Sequence, residues 1–353
     1  MGELPRNLTR RVMVGSVPVG GGAPVSVQTM LSTPTSDVDL ALREIARVAD
    51  LGCEIVRLAI PSEAELEPFG RICEASPLPV VADIHFDYKL AIGAARRGAA
   101  KLRINPGNIG SAERVDAVID AAGEAGIPIR IGVNGGSLEQ RLRDAKGMSL
   151  PEKLAASVEG FVEHFQTRGF DDIVLSAKAH DVPTTVETYR MLSKRLPGVP
   201  LHIGVTEAGT LRQGTVKASA GLGILLAEGI GDTLRVSLTG SIDDEVLVGW
   251  EILQACGLRR RTPELVSCPT CGRTQIDLIP IAEEVATRLS RIAKPIKVAV
   301  MGCVVNGPGE AADADIGIAG GKGEGLIFAH GEVLRKVPES EIVEALFEEI
   351  RKL

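Results

Sequence analysis

V-V-A-D-I-H-F-D-Y-K-L-A-I-G-A-A-R-R-G-A-A-K-L-R-I-N, residues 80–105, holds two short apolar runs with a helical pattern between them. The run at 80–86 ends in Asp83 and His85, and the run at 101–105 ends in Arg103 and Asn105. Strands that read as near-continuous Val, Ile and Leu, separated by helices, indicate a parallel sheet covered on its outer face. The same unit recurs along the chain. Apolar runs at 25–30, 54–60, 80–86, 101–105, 128–133, 172–178, 201–206 and 233–238 alternate with amphipathic stretches such as 37–51, 111–125, 186–195 and 241–256. Eight such units predict an α/β fold of the (β/α)8 TIM-barrel type. A doubly wound open sheet is the alternative, and it often carries a glycine fingerprint after its first strand. Here the first run is followed by L-S-T-P-T-S-D, which reads as a helix N-cap.

Outside the barrel pattern, residues 11–25 read as a hairpin turning at Gly20–Gly22 that plugs one end of the barrel. G-L-R-R-R-T-P-E at 257–264 marks a domain boundary and reads as a solvated linker, which places a barrel domain at 1–258 and a second domain at 259–353. The second domain reads as a small α+β unit, with strands at 264–267, 295–301, 315–319 and 325–336 and helices at 276–293 and 339–351. Its G-I-A-G-G-K-G-E-G run lacks P-loop spacing and reads as a hairpin turn.

The chain has 353 residues, 44% hydrophobic and 24% charged, enough for a large core. A net charge of −7 provides no general attraction for nucleic acid or acidic membranes, and 3% aromatics argues against base-stacking platforms. No apolar run reaches membrane-span length, and the N-terminus lacks the apolar core of a secretory signal. Six scattered cysteines fit a reducing cytoplasm better than a disulfide framework.

Two constellations carry chemistry. Cys268 and Cys271 form C-P-T-C directly after a strand, and Cys303 follows the next strand in M-G-C-V-V-N-G-P-G-E. Structural zinc wants four protein ligands, and neither a fourth cysteine nor a histidine lies close by. Glu310 is the nearest downstream oxygen ligand. A three-thiolate iron–sulfur cluster and a zinc ribbon both remain open on the residues alone. The second constellation is polar and stands at the C-terminal ends of the strands, where barrel enzymes build their sites. It comprises Arg57, Asp83, His85, Arg103, Asn105, Arg130, Asn134, Lys178, Glu207, Arg235 and Ser237. Its five Arg and Lys side chains exceed what Asp83 and Glu207 neutralise, and that surplus suits a diphosphate or similar polyanion.

These motifs resemble one family, 4-hydroxy-3-methylbut-2-en-1-yl diphosphate synthase. The resembling stretches are P-V-S-V-Q-T-M at 24–30, C-E-I-V-R at 53–57, V-A-D-I-H-F at 81–86, K-L-R-I-N-P-G-N-I-G at 101–110, I-P-I-R-I-G-V-N-G-G-S-L at 127–138, V-T-E-A-G at 205–209, S-C-P-T-C-G-R-T at 267–274 and M-G-C-V-V-N-G-P-G-E at 301–310. The resemblance implies a TIM barrel followed by a cluster domain similar to a sulfite-reductase module, in the shorter two-domain form. It implies a [4Fe–4S] cluster held by Cys268, Cys271, Cys303 and Glu310, with Asn306 near it. The implied substrate is 2-C-methyl-D-erythritol 2,4-cyclodiphosphate, reduced by two electrons with ring opening and loss of water. By motif match its diphosphate meets Arg57, His85, Arg103, Arg130 and Lys178, with Ser237 beside them. Asp83 and Asn134 orient the substrate, and Glu207 is the acid/base residue. Flavodoxin or ferredoxin is the implied electron donor, and a head-to-tail homodimer the implied assembly. The competing reading is a non-redox barrel enzyme on a phosphorylated or pterin-like substrate with a structural zinc tail.

Overall fold

The computed structural model describes residues 6–290, 292–303, 311 and 313–353. The chain divides into two compact units, residues 1–259 and 260–353.

The first unit opens with a hairpin of β1 (Val12–Val14) and β2 (Val17–Val19). Eight parallel strands follow: β3 (Ser26–Met30), β4 (Ile55–Ala59), β5 (Val80–Asp83), β6 (Lys101–Ile104), β7 (Ile129–Asn134), β8 (Ile173–Lys178), β9 (His202–Ile203) and β10 (Thr233–Leu234). Their order, β8-β7-β6-β5-β4-β3-β10-β9, is brought round to closure by a parallel bridge between Leu175 and Leu201. A helix follows every strand, as the alternation predicts.

Period-2 alternation sorts each strand into two environments. Val56, Val80, Ala82, Ile173 and Leu175 face outward into the core shared with the helices. Ile55, Val81 and Val174 face inward and pack against Val12, Val14 and Val19 of the hairpin. The hairpin therefore plugs the end of the barrel at which the strands begin. Its turn lies at Gly15–Ser16, not at Gly20–Gly22, because V-M-V and V-P-V pair in register around it. Gly15 has φ +57°, and a Cβ there would sit 3.1 Å from Pro79.

The first barrel helix, Val38–Asp50, shows how the outer layer forms. Asp37 caps it by accepting from the Leu40 N–H, and Ala41, Ile45 and Val48 bury one stripe against the sheet. Arg259, the last residue of the unit, is not a solvated linker residue. Its guanidinium lies 4.4 Å from the Trp250 ring centre and binds Glu54 at 2.7 and 3.1 Å and the Val25 carbonyl at 2.8 Å. Val25 and Glu54 both lie just before strands, so this clamp sits at the plugged end.

The second unit is a five-stranded sheet: β11 (Glu264–Ser267), β12 (Lys297–Met301), β13 (Ile316–Gly321), β14 (Glu324–Ala329) and β15 (Glu332–Pro338). The first three are parallel and the last three antiparallel. The stretch expected as one strand at 325–336 is a hairpin, bent where His330 and Gly331 both take positive φ. Val298, Val300, Ile316 and Ile318 face the helices Leu278–Leu289 and Ile342–Ile350. Ala299, Met301 and Ala319 form the other face, with Ala311, Ala314 and Phe328.

Candidate functional site

The inward positions of the barrel change character toward the strand ends. Asp83, at the end of β5, is the hub of the polar cluster. Its Oδ1 accepts from Arg103 Nη1 at 3.0 Å, and its Oδ2 lies 3.7 Å from Arg57 Nε and 3.4 Å from His85 Nε2. Burial alone would raise this carboxyl, but Arg57, a hydrogen bond from His85, and Arg103 hold it well below the usual carboxylate range. Arg57 is buried, which lowers its guanidinium to about 10 against the opposing pull of Asp83. It also points at the Met30 sulfur, 2.8 Å from Nη2.

Arg130 stands beside Arg103 across the β6–β7 pair. It is fully buried, yet none of its three side-chain nitrogens has a hydrogen-bond partner among the described residues. Room for the Arg103 guanidinium comes from Gly132, where a Cβ would lie 2.8 Å from Arg103 Nε and 3.1 Å from Ser176 Oγ. Arg57, Arg130, Ser176, Lys178, His202, Arg235 and Ser237 line one cavity with Tyr189 and Thr206. The Lys178 amine is pushed down to about 6 by burial and then by Arg103, Arg57 and Arg130.

Other candidates take supporting positions. Asn105 Nδ2 donates to Ser137 Oγ at 2.6 Å, while its buried Oδ1 has no partner among the described residues. Asn134 caps the short turn Gly135–Ser137, so it shapes the loop after β7. Arg235 is not the surplus cation its position suggested. It is fastened to Glu245 through contacts of 2.8, 3.0 and 3.2 Å, and it also donates to Ser237 Oγ at 3.3 Å. Glu207 is exposed after β9 and takes φ +52°, a left-handed conformation that a non-glycine side chain seldom adopts. The second buried carboxylate among these cations is therefore Glu245, not Glu207.

Sequence reasoning missed three buried groups. Glu245 sits in a helix first turn that reads as ordinary capping chemistry. Lys101 and His202 lie low in the barrel, where an apolar layer is the default. Lys101 had one available signal: it stands two residues before Arg103 and so shares its inward face. Burial, then Arg130 and Arg57, lower the Lys101 amine, and burial, then Arg130 and Lys101, lower the His202 imidazole.

In the second unit, Cys268 directly follows β11 and Cys303 lies two residues past β12, at the same edge of the parallel pair. The Gly302 N–H donates to Cys268 Sγ at 3.2 Å. Cys303 is buried and Cys271 is exposed. Backbone and side-chain hydrogen bonds involving Arg273 favour the Cys271 thiolate and lower its pKa. These donors suit iron–sulfur ligation: free thiols, and N–H groups directed at sulfur. Among the described residues, no three Cys, His, Asp or Glu side chains come together as a metal-binding group. Asn306 and Glu310 lie outside the described residues. No described helix is long and apolar enough to cross a membrane.

Comparison with known proteins follows this division. The GcpE TIM-barrel domain family matches residues 9–250, and the GcpE protein C-terminal domain family matches residues 264–352. A curated relative from Geobacter sulfurreducens is 56% identical over 345 residues, covering 98% of each chain. One from Clostridium acetobutylicum is 53% identical over 342 residues, covering 97% of this chain and 98% of its own. Both are named 4-hydroxy-3-methylbut-2-en-1-yl diphosphate synthase (flavodoxin). A dihydropteroate synthase structure from Stenotrophomonas maltophilia aligns with TM-score 0.52 at 12% identity, covering 70% of this chain and 99% of that one, and shows the barrel fold alone. Matched in both units and along nearly its whole length, the chain belongs to the GcpE family, the 4-hydroxy-3-methylbut-2-en-1-yl diphosphate synthases.

Proposed function

We propose that the chain reduces 2-C-methyl-D-erythritol 2,4-cyclodiphosphate by two electrons, opening the ring and releasing water, to give 4-hydroxy-3-methylbut-2-enyl diphosphate. The observation that carries this reading is Arg130, a buried guanidinium whose donors have no partner among the described residues, lining a cationic cavity in a chain of this family. Burying such a charge is costly unless a ligand completes it. Arg57, Arg103, Arg130 and Lys178 would bind the diphosphate, with Ser237 beside them, and offset the negative charge that grows on it as the ring opens. Asp83 holds Arg57, Arg103 and His85 in place. Asn105 and Asn134 shape the rim, and Arg235, braced by Glu245, holds Ser237. Glu207, with its strained backbone, would exchange a proton with the hydroxyl that leaves as water.

Cys268, Cys271 and Cys303 would hold a [4Fe–4S] cluster with Glu310 as fourth ligand and Asn306 nearby. That cluster would supply the electrons, received from flavodoxin as the relatives' name suggests. The non-redox alternative with a zinc tail finds no support among the relatives. Anaerobic turnover tests the proposal. Protein reconstituted with iron and sulfide is expected to convert the cyclodiphosphate with reduced flavodoxin, and a colourless, zinc-loaded protein without turnover would refute it.

The barrel would work on substrate with a second subunit's cluster. A head-to-tail homodimer, the assembly that the resemblance of the motifs implies, is the arrangement this reading takes. Mixed dimers, one subunit lacking Cys268 and the other lacking Glu207, are expected to keep one working site. Complete inactivity of folded mixed dimers would contradict the arrangement.

A further inference from the structure

Lys178 ends β8 and lines the cavity with Arg57, Arg130 and Arg235. Charged and titratable groups face this region from every element around it. They are Arg57 from β4, Asp83 and His85 at the end of β5, Lys101 and Arg103 from β6, Arg130 from β7, and His202 from β9. Tyr189 of the helix Val182–Arg195, Arg235 after β10, and Glu245 of the helix Ile242–Ala255 complete the set. Among the described residues, two carboxylates face this set of cations. Asp83 is shared by Arg57, Arg103 and His85, and Glu245 is taken by Arg235. Neither Arg130 nor Lys178 has a carboxylate within ion-pair distance among the described residues. Such a cluster sheds positive charge where it can. A guanidinium keeps its proton under all ordinary conditions, whereas an amine releases one readily.

We propose that binding of the cyclic diphosphate is coupled to uptake of one proton, carried by Lys178. This rests on the substrate reading above. In the empty site the amine is neutral near pH 7, since burial and Arg103, Arg57 and Arg130 press its pKa down to about 6. The diphosphate adds negative charge beside it, and an opposite charge at close range favours the ammonium form. The ligand has no proton of its own to exchange near neutrality, because each phosphorus of a cyclic diphosphate carries one strongly acidic oxygen. Lys101 is the other amine of the cluster, but it lies deeper and does not line the cavity. Lys178 thereby becomes a full cation only when a polyanion is present, and it holds a proton beside the phosphate oxygens as the ring opens.

Calorimetric titration of the cyclodiphosphate into the full-length holoprotein at pH 7.5, in buffers of differing ionisation enthalpy, tests this. The expected result is uptake of about one proton per site. Lys178→Arg is expected to bind with almost no proton uptake, and Lys101→Met to take up the same proton as wild type. The affinity of wild type should improve about tenfold for each unit of pH lowered toward 6 and level off below it. Binding of normal strength with no proton uptake, or uptake that persists in Lys178→Arg, overturns the proposal and leaves the substrate reading standing. Absence of any binding overturns the substrate reading itself.

Discussion

The two ends of the barrel interior are built from opposite chemistry on the same strands. In β4 and β5 the inward residue near the start is Ile55 or Val81, and two positions later it is Arg57 or Asp83. In β8, Val174 gives way to Ser176 and then Lys178. The apolar end is closed by Val12, Val14 and Val19 and buries its surface completely. The polar end leaves donors such as the Arg130 guanidinium unpartnered among the described residues. One end holds the barrel shut with apolar side chains, Lys101 in register with Val81 being its charged exception, and the other gathers the buried guanidinium groups. The difference teaches that stability and binding can be separated within a single strand by a step of two residues.

Substitutions should break this comparison differently at each end. Asp83→Asn removes the carboxylate that contacts both Arg57 and Arg103, and is expected to cost about 3–5 kcal/mol in denaturant unfolding. The Asp83 carboxyl is depressed in the folded state, so its contribution is present above the unfolded carboxylate value of about 4 and is lost as pH falls through the lower folded value. Wild type should therefore lose stability below about pH 4 more steeply than Asp83→Asn does, as followed by circular dichroism. Ile55→Ala at the plugged end should cost about 2–4 kcal/mol in the same unfolding measurement, with KM for the cyclodiphosphate unchanged. Arg130→Met should behave in the reverse sense, holding or raising Tm by the equivalent of about 1–2 kcal/mol, because an uncompensated buried charge is replaced by an apolar chain. Arg259→Ala is expected to have the smallest effect, about 1 kcal/mol in thermal unfolding of the barrel, through loss of its contacts with Trp250 and Glu54.

Much of this division was legible in the sequence. The eight apolar runs and the helices between them emerge as a barrel because period and spacing are local properties. Charged residues at run ends, such as Asp83, Arg103 and Lys178, declare themselves because nothing else explains them in an apolar strand. Interior pairing is not local. Arg235 meets Glu245 across a strand–helix connection, and nothing in S-I-D-D-E-V distinguishes the buried glutamate from its half-buried acidic neighbours. In the hairpin, G-G-G at 20–22 is the stronger turn signal in the sequence, whereas strand register selects Gly15–Ser16. The bend at His330–Gly331 carries no Asn-Gly or Pro-Gly mark, so one strand was expected where the chain makes two. The cysteine spacing was plain, but the approach of the Gly302 N–H to Cys268 depends on how β11 and β12 pair.

Cyclodiphosphate binding to the wild-type protein, Ile55→Ala and Arg130→Met, measured under identical conditions, is the most direct test of the division between a structural end and a binding end. Wild-type affinity is expected in Ile55→Ala, and a loss of about 100-fold or more in Arg130→Met, equivalent to about 3 kcal/mol of charge-assisted contacts. Equal affinity in wild type and a folded Arg130→Met protein would contradict the account.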